Sequence, residues 1–220
     1  PYDRISPNAD IAAARMSALA LLADGAPPRA AILTTLAAAA QRVPARDTVR
    51  AASFTAEVGR PLDLDELRAY LARMGFNRAP TVTEPGDYAI RGGVVDVYPS
   101  GADSPVRLDL FGDMLDGARR FDAETQRTIE KIPRVEFAPV SEVTLDDAAI
   151  ARFRTAYREA FGAAGLDDPL YEAVSAGRKQ QGMEHWAPFF HERMETIFDY
   201  LPDAPVALDH QIEEARASRW

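Results

Sequence analysis

One stretch, EPGDYAIRGGVVDVYPSGADSPVRLDLFGDMLDGARRF from Glu84 to Phe121, limits the folds open to this chain more than any other. Two runs rich in β-branched and aromatic residues, Tyr88 to Tyr98 and Val106 to Phe111, flank the turn-forming cluster Pro99 to Pro105. That pattern predicts a β-hairpin with a long loop. Gly112-Asp113 then turns the chain into a third run ending at Phe121. Alternation in the second run sends Leu108 and Leu110 to one face and Arg107, Asp109 and Phe111 to the other. The first face suits a core. The second sets a phenyl ring beside a guanidinium, the two residue types that dominate protein-binding hot spots, so the meander reads as a docking surface. A plainer reading stays open, in which Phe111 is buried under the sheet edge and Arg107 pairs with Asp109 or Asp113. Arg91 precedes Gly92-Gly93, which reads as a mid-strand bulge or a site of close backbone approach, and a bulge there would flip the direction of Arg91.

The flanking segments carry other signals. Ile11, Arg15, Ala18, Leu19 and Leu22 recur at helical spacing after Asn8 or Asp10, predicting a helix to about Ala23 stopped by Asp24-Gly25 and Pro27-Pro28; Pro1 to Pro7 reads as extended chain. Ala31 to Thr35 reads as a buried strand and Leu36 to Val43 as a helix, together one unit of a parallel α/β sheet. From Arg46 to Arg60 the pattern loosens. Asp63 and Glu66 form a capping box before Leu64, Leu67, Leu71 and Met74, with Gly75 closing the helix. Arg78 to Thr83 and Thr128 to Phe137 read as strands. Beyond Pro139 the chain returns to helix over Leu145 to Ala164, with Ile150, Phe153, Tyr157 and Phe161 spaced for burial, and again over Pro169 to Ala176. A helical turn or two follows within Met194 to Tyr200. Pro205 to Leu208 is a candidate strand, and Asp209 caps a last helix. An α+β module of about ninety residues inserted into a parent α/β domain explains this order.

A net charge of −9 argues against a broad electrostatic grip on nucleic acid, which works by replacing phosphate counterions with Lys and Arg. Nearly all the positive charge is arginine, suited to bidentate contacts, although a GC-rich genome would give the same bias. With no cysteine there is no disulfide, thiolate metal site or cysteine nucleophile. No apolar run approaches the roughly 18 residues of a membrane helix. A cytoplasmic protein is expected. The start at Pro1 and the stop at Trp220 inside a helical pattern suggest a fragment.

The chemical motifs are sparse. G-x-x-x-x-G-K-[ST] is absent, and Gly92-Gly93 opens no helix. Glu184, His185, His191 and Glu192 are the metal candidates, but His191-Glu192-Arg193-Met194-Glu195 carries Glu where a zincin helix needs its second His, so a structural aromatic cluster is the better reading. Asp146-Asp147 and Asp167-Asp168 read as helix-start and turn residues. No cofactor or metal is expected.

Four strings in order carry a resemblance: PYDRISP from Pro1, EPGDYAIRGGVVDVYP from Glu84, RLDLFGD from Arg107, and RFDAETQR from Arg120, with GMEHW from Gly182 extending it over essentially the whole chain. They resemble the N-terminal region of the bacterial transcription-repair coupling factor family, itself similar to the excision-repair protein UvrB. The resemblance implies an α/β fold: a split, degenerate helicase-like domain of P-loop NTPase type, truncated at its N-terminus, over residues 1–50 and 141–220, with an α+β domain containing an antiparallel sheet inserted over 51–140. It implies that the inserted domain binds UvrA, the damage-recognition ATPase, through Arg91, Arg107 and Phe111, and that this piece is not itself an enzyme. It further implies that distal domains of the same polypeptide mask the surface, and that RNA polymerase, DNA and ATP are handled by parts outside this chain. The alternative is a UvrB-type damage-verification protein with ATP and DNA binding. The short connection from Ala31–Thr35 to Pro44, with no aromatic-rich hairpin, favours the coupling factor.

Overall fold

The computed structural model describes residues 6–25 and 29–219. Most of the extended start, the Pro27-Pro28 stop and Trp220 lie outside the described residues.

Helix α1 (Ala9–Ala23) begins where the Asn8 side chain accepts the Asp10 amide, and it buries Ala13, Met16, Leu19, Leu22 and Ala23. Ile11, which the spacing placed on the inner face, is exposed. Ala31–Thr35 does not form the predicted strand: it is exposed and pairs with no other strand among the described residues, because an apolar run becomes a strand only where a neighbour takes up its backbone N–H and C=O groups. The next helix, α2 (Leu36–Ala39), is shorter than predicted and gives way to β1 (Val43–Pro44). The loosened stretch after Pro44 holds α3 (Arg46–Ala52) and β2 (Phe54–Glu57). Helix α4 (Leu64–Arg73) starts at Asp63 as expected, its carboxylate accepting the Glu66 amide, but only this half of the predicted capping box forms.

The central strands are β3 (Asn77–Arg78), β4 (Asp87–Arg91), β5 (Val94–Val97), β6 (Val106–Phe111), β7 (Met114–Phe121), β8 (Thr128–Lys131) and β9 (Arg134–Phe137). Strands β3 to β8 lie side by side in sequence order as one six-stranded sheet, while β9 leaves it to pair with β2. The single strand read over Thr128 to Phe137 is thus two strands in two sheets. Gly92-Gly93 is not a mid-strand bulge either. The pair is the two-residue turn between β4 and β5, with Gly92 at φ +60° and Arg91 opposite Val94. Glycine at the first central position matches the twist of the flanking strands. Close backbone approach does occur: the Gly93 carbonyl accepts the Leu110 amide at 2.7 Å, and a Cβ on Gly93 would stand 2.7 Å from the Leu110 carbonyl oxygen.

Beyond β9, Asp146 caps α5 (Asp147–Phe161), a 3₁₀ turn (Gly162–Asp167) follows, and Asp168 caps α6 (Pro169–Ser175). A second 3₁₀ turn (Met183–Trp186) leads through α7 (Ala187–Phe190), β10 (Met194–Glu195) and α8 (Ile197–Tyr200) to α9 (Ile212–Arg219). Phe153 and Tyr157 are buried as spaced, while Phe161 stays partly exposed with its ring against Trp186. Pro205–Leu208 is exposed and not a strand.

Among the described residues the only parallel pairing is β3 with β4. The first and last parts of the chain meet through antiparallel β1 and β10, reinforced by the Tyr200 hydroxyl donating to the Pro44 carbonyl. The expected parallel α/β sheet therefore does not form among the described residues, and their fold is mixed α/β with antiparallel sheets. Helix α4 packs Leu67, Tyr70 and Leu71 on Val95, Val97, Leu108 and Leu115 of the sheet and on Phe137 of β9. A second core gathers Phe153, Tyr157, Tyr171 and Phe190. A third joins Met16, Leu19 and Leu22 of α1 to Val43, Val49 and Tyr200.

Two expectations follow from this packing. The Leu110 carbonyl belongs to a paired strand and cannot give way, so Gly93→Ala should cost about 2 kcal/mol, read as a lowered urea midpoint; an unchanged midpoint would contradict the close approach. His191, half-buried directly after Phe190 of the second core, is held low by burial, although its Nε2–H donates to the Glu142 carbonyl at 2.7 Å. The unfolded chain therefore takes up this proton first, near the ordinary histidine pKa of about 6.5, and stability is lost as pH falls through that value toward the lower folded one. The drop in melting temperature between pH 7.5 and 5.5 should be smaller in His191→Gln than in the parent protein, and an equal drop would show that His191 does not contribute.

Candidate protein-binding surface

The sheet face turned away from α4 is the unusual part of the molecule. Cross-strand register sets Ala89, Asp96, Arg107, Arg119 and Lys131 in one row, with Arg91, Val94, Asp109 and Gly117 in the next. One end of this face is sealed by Val82, Ala89 and Phe121, with Tyr98 against them. The remainder is a lattice of charge.

Its centre is Asp96, 1% exposed in the middle of the apolar run Val94–Val97. A buried carboxylate is tolerated only when paired and hydrogen-bonded. Arg107, directly opposite on β6, donates from Nε to Oδ1 at 2.6 Å and from Nη2 to Oδ2 at 2.9 Å. The carboxylate raises the Arg107 pKa, with burial opposing it, so the guanidinium stays charged. The Phe121 ring centroid lies 4.6 Å from the Arg107 Cζ, so one guanidinium face rests on an aromatic ring. Arg91 approaches the same carboxylate from β4, its Nη2 at 3.6 Å from Oδ2, and donates to the Pro80 carbonyl at 3.2 Å. Beside this group, Arg119 grips Asp109 at 2.8 and 3.1 Å.

Phe111 sits at the tip of the β6–β7 hairpin, opposite Met114, and is 81% exposed. The reading that buried it under the sheet edge is therefore wrong. Alternation along β6 holds to its end, with Leu110 packed on the core and Phe111 exposed, but the pairing with β7 changes after Asp109. There the register shifts, Asp109 facing Gly117 but Leu110 facing Leu115, and the extra residue Asp116 bends the end of the hairpin. Arg107 also differs from expectation. Its side chain is 18% exposed and its partner is Asp96, not Asp109 or Asp113. Arg91, at the end of β4, is 53% exposed. The structure thus brings Arg91 and Arg107 together on one carboxylate, with Phe111 farther along β6. Sequence reasoning missed Asp96, whose signal was an acid alone among valines in a strand whose neighbour carries arginine.

Other candidates are occupied by their own structure. Glu184 accepts from the Ser6 hydroxyl, Glu192 faces Arg152, and His191 holds the Glu142 carbonyl. Among the described residues no group of three or more His, Cys, Asp or Glu could hold a metal, and no helix is long and apolar enough to cross a membrane. A cleft of about 960 Å³ opens between α1, the Gly75 turn and the Met183 turn. Two of its cations are engaged, Lys179 with the Gly75 carbonyl and Arg15 with Glu142.

Comparison with known proteins covers this sheet and the chain on either side of it. The family described as UvrB interaction domain matches residues 54–142, the segment from β2 through β9 and the turn beyond it. Transcription-repair-coupling factors of Haemophilus influenzae and Escherichia coli are similar over 100% of the chain, at 34% and 33% identity, and that of Myxococcus xanthus over 99% at 34%. The chain spans 19% of the length of each of these relatives. With a UvrB interaction domain at its centre and similarity from end to end, the chain belongs to the transcription-repair-coupling factor family.

Proposed function

We propose that this chain is a non-catalytic adaptor that recruits UvrA in transcription-coupled nucleotide excision repair, through Arg91, Arg107 and Phe111. The observation that carries the reading is a phenyl ring left almost fully in water at a hairpin tip, on the same strand as a guanidinium fixed by two hydrogen bonds. Exposing such a ring disfavours the free chain in water, and covering it would yield about 2 kcal/mol, so the ring suits a surface that a partner closes. The chemistry complements it. Arg107 uses one edge of its guanidinium on Asp96 and keeps Nη1 for an acceptor on the partner, while Arg91 is half open to solvent.

The division into residues 1–50, 51–140 and 141–220 belongs to the same proposal. Residues 51–140 form the UvrA-binding unit, and the flanking parts, joined by β1 and β10, form two halves of a degenerate helicase-like domain. In the longer protein, distal domains cover this surface, and contacts with RNA polymerase, DNA and ATP belong to parts outside the chain.

Isothermal titration with purified UvrA tests the reading. Phe111→Ala should weaken binding at least about tenfold, the loss of a central hot spot, while its exposed position keeps the folding free energy within about 0.5 kcal/mol of the parent. Unchanged affinity in both Phe111→Ala and Arg91→Ala would overturn the docking surface. Arg107→Ala should behave differently, costing about 3 kcal/mol of stability because it strips a buried carboxylate of its main partner. An unchanged urea midpoint for Arg107→Ala would contradict the buried pairing.

A further inference from the structure

We infer that Asp96 is a positioning residue of the docking surface, holding Arg91 and Arg107 as a fixed pair of forks for an acidic group on the partner. The inference rests on the UvrA-docking reading and deepens it. Asp96 makes no outward contact of its own, being 1% exposed. What it does is consume specific edges of two arginines. Both Oδ atoms take the Nε and Nη2 side of Arg107, and Oδ2 also faces Nη2 of Arg91. The Phe121 ring closes one face of the Arg107 guanidinium, and the Pro80 carbonyl fixes the Nη2 end of Arg91. Two long side chains that would otherwise sample many rotamers are held in one arrangement. The cost of ordering these side chains is then met on folding and not on binding.

The remaining donors suit a carboxylate. Planar guanidinium groups recognise carboxylates through paired N–H donors, and an orientation fixed in advance favours this geometry over diffuse attraction. The local charge supports a directional role. Arg91, Arg107 and Arg119 face Asp96 and Asp109, so two of three positive charges are already balanced and geometry decides more than field strength.

This makes an expectation opposite in sign to simple electrostatics. Asp96→Asn removes a negative charge from beneath the arginines. If they acted as free charges, an acidic partner surface would bind more tightly. If Asp96 positions them, binding weakens despite the added positive charge. The experiment is calorimetric titration of purified UvrA with Asp96→Asn, Arg107→Lys, Arg91→Ala and Phe111→Ala variants of this chain, at a temperature where circular dichroism shows each folded. Asp96→Asn should weaken binding at least about fivefold, since it replaces hydrogen bonds between two charged groups with weaker ones. Arg107→Lys should weaken it comparably, because a single ammonium keeps the charge beside Asp96 but cannot serve carboxylates on two edges. Tighter or unchanged binding by folded Asp96→Asn overturns the positioning role while leaving the docking surface standing. Where Asp96→Asn does not fold, Arg107→Lys decides: at least about fivefold weaker binding supports the role, and parent affinity overturns it. Unchanged affinity in both Arg91→Ala and Phe111→Ala overturns the docking surface on which the inference rests.

Discussion

A carboxylate buried in a β-sheet is the constraint to which the rest of this face answers. Asp96 lies between Val95 and Val97, which fill the core, and an ionised group there is stable only if a cation is delivered to it with good geometry. Register delivers it: Arg107 is the cross-strand neighbour of Asp96, and Arg91 reaches the same oxygen from the strand on the other side. The ring of Phe121 then becomes the floor under one guanidinium. Folding the sheet and ordering the arginines are therefore one event.

The hairpin tip follows from backbone rules acting at the opposite end of the same strands. Gly92 allows a two-residue turn between β4 and β5, and bare Gly93 lets β6 come close enough to bond its carbonyl. Alternation along β6 puts Phe111 on the face opposite Leu108 and Leu110, and the extra residue Asp116 on β7 bends the end of the hairpin. Below the sheet, α4 and the Phe54–Tyr70–Phe137 aromatic group supply the rigid layer that a binding surface requires.

Much of this was legible in the sequence where the signal was local. Caps at Asn8, Asp63, Asp146 and Asp168 compete only with their own helices, so side-chain type and spacing decided them. The meander and its Gly112 turn were likewise written in alternation and turn residues. Readings that required a distant partner failed. Ala31–Thr35 and Pro205–Leu208 have strand composition but no neighbouring strand among the described residues, and the split of Thr128–Phe137 between two sheets depends on where β2 lies. The candidate site divided in the same way. Arg91, Arg107 and Phe111 were named as candidates, Arg107 and Phe111 through strand alternation and all three through the resemblance of their motifs. Asp96 was not, because its role exists only once register sets it between two arginines.

The most direct measurement is hydrogen exchange of this chain with and without UvrA, followed residue by residue. Added protection is expected at Arg91 to Asp96 and at Arg107 to Met114, with α1 and α5 unchanged. Protection confined to the helical flanks, with the hairpin tip exchanging as in the free chain, would contradict the placement of the docking surface on this sheet.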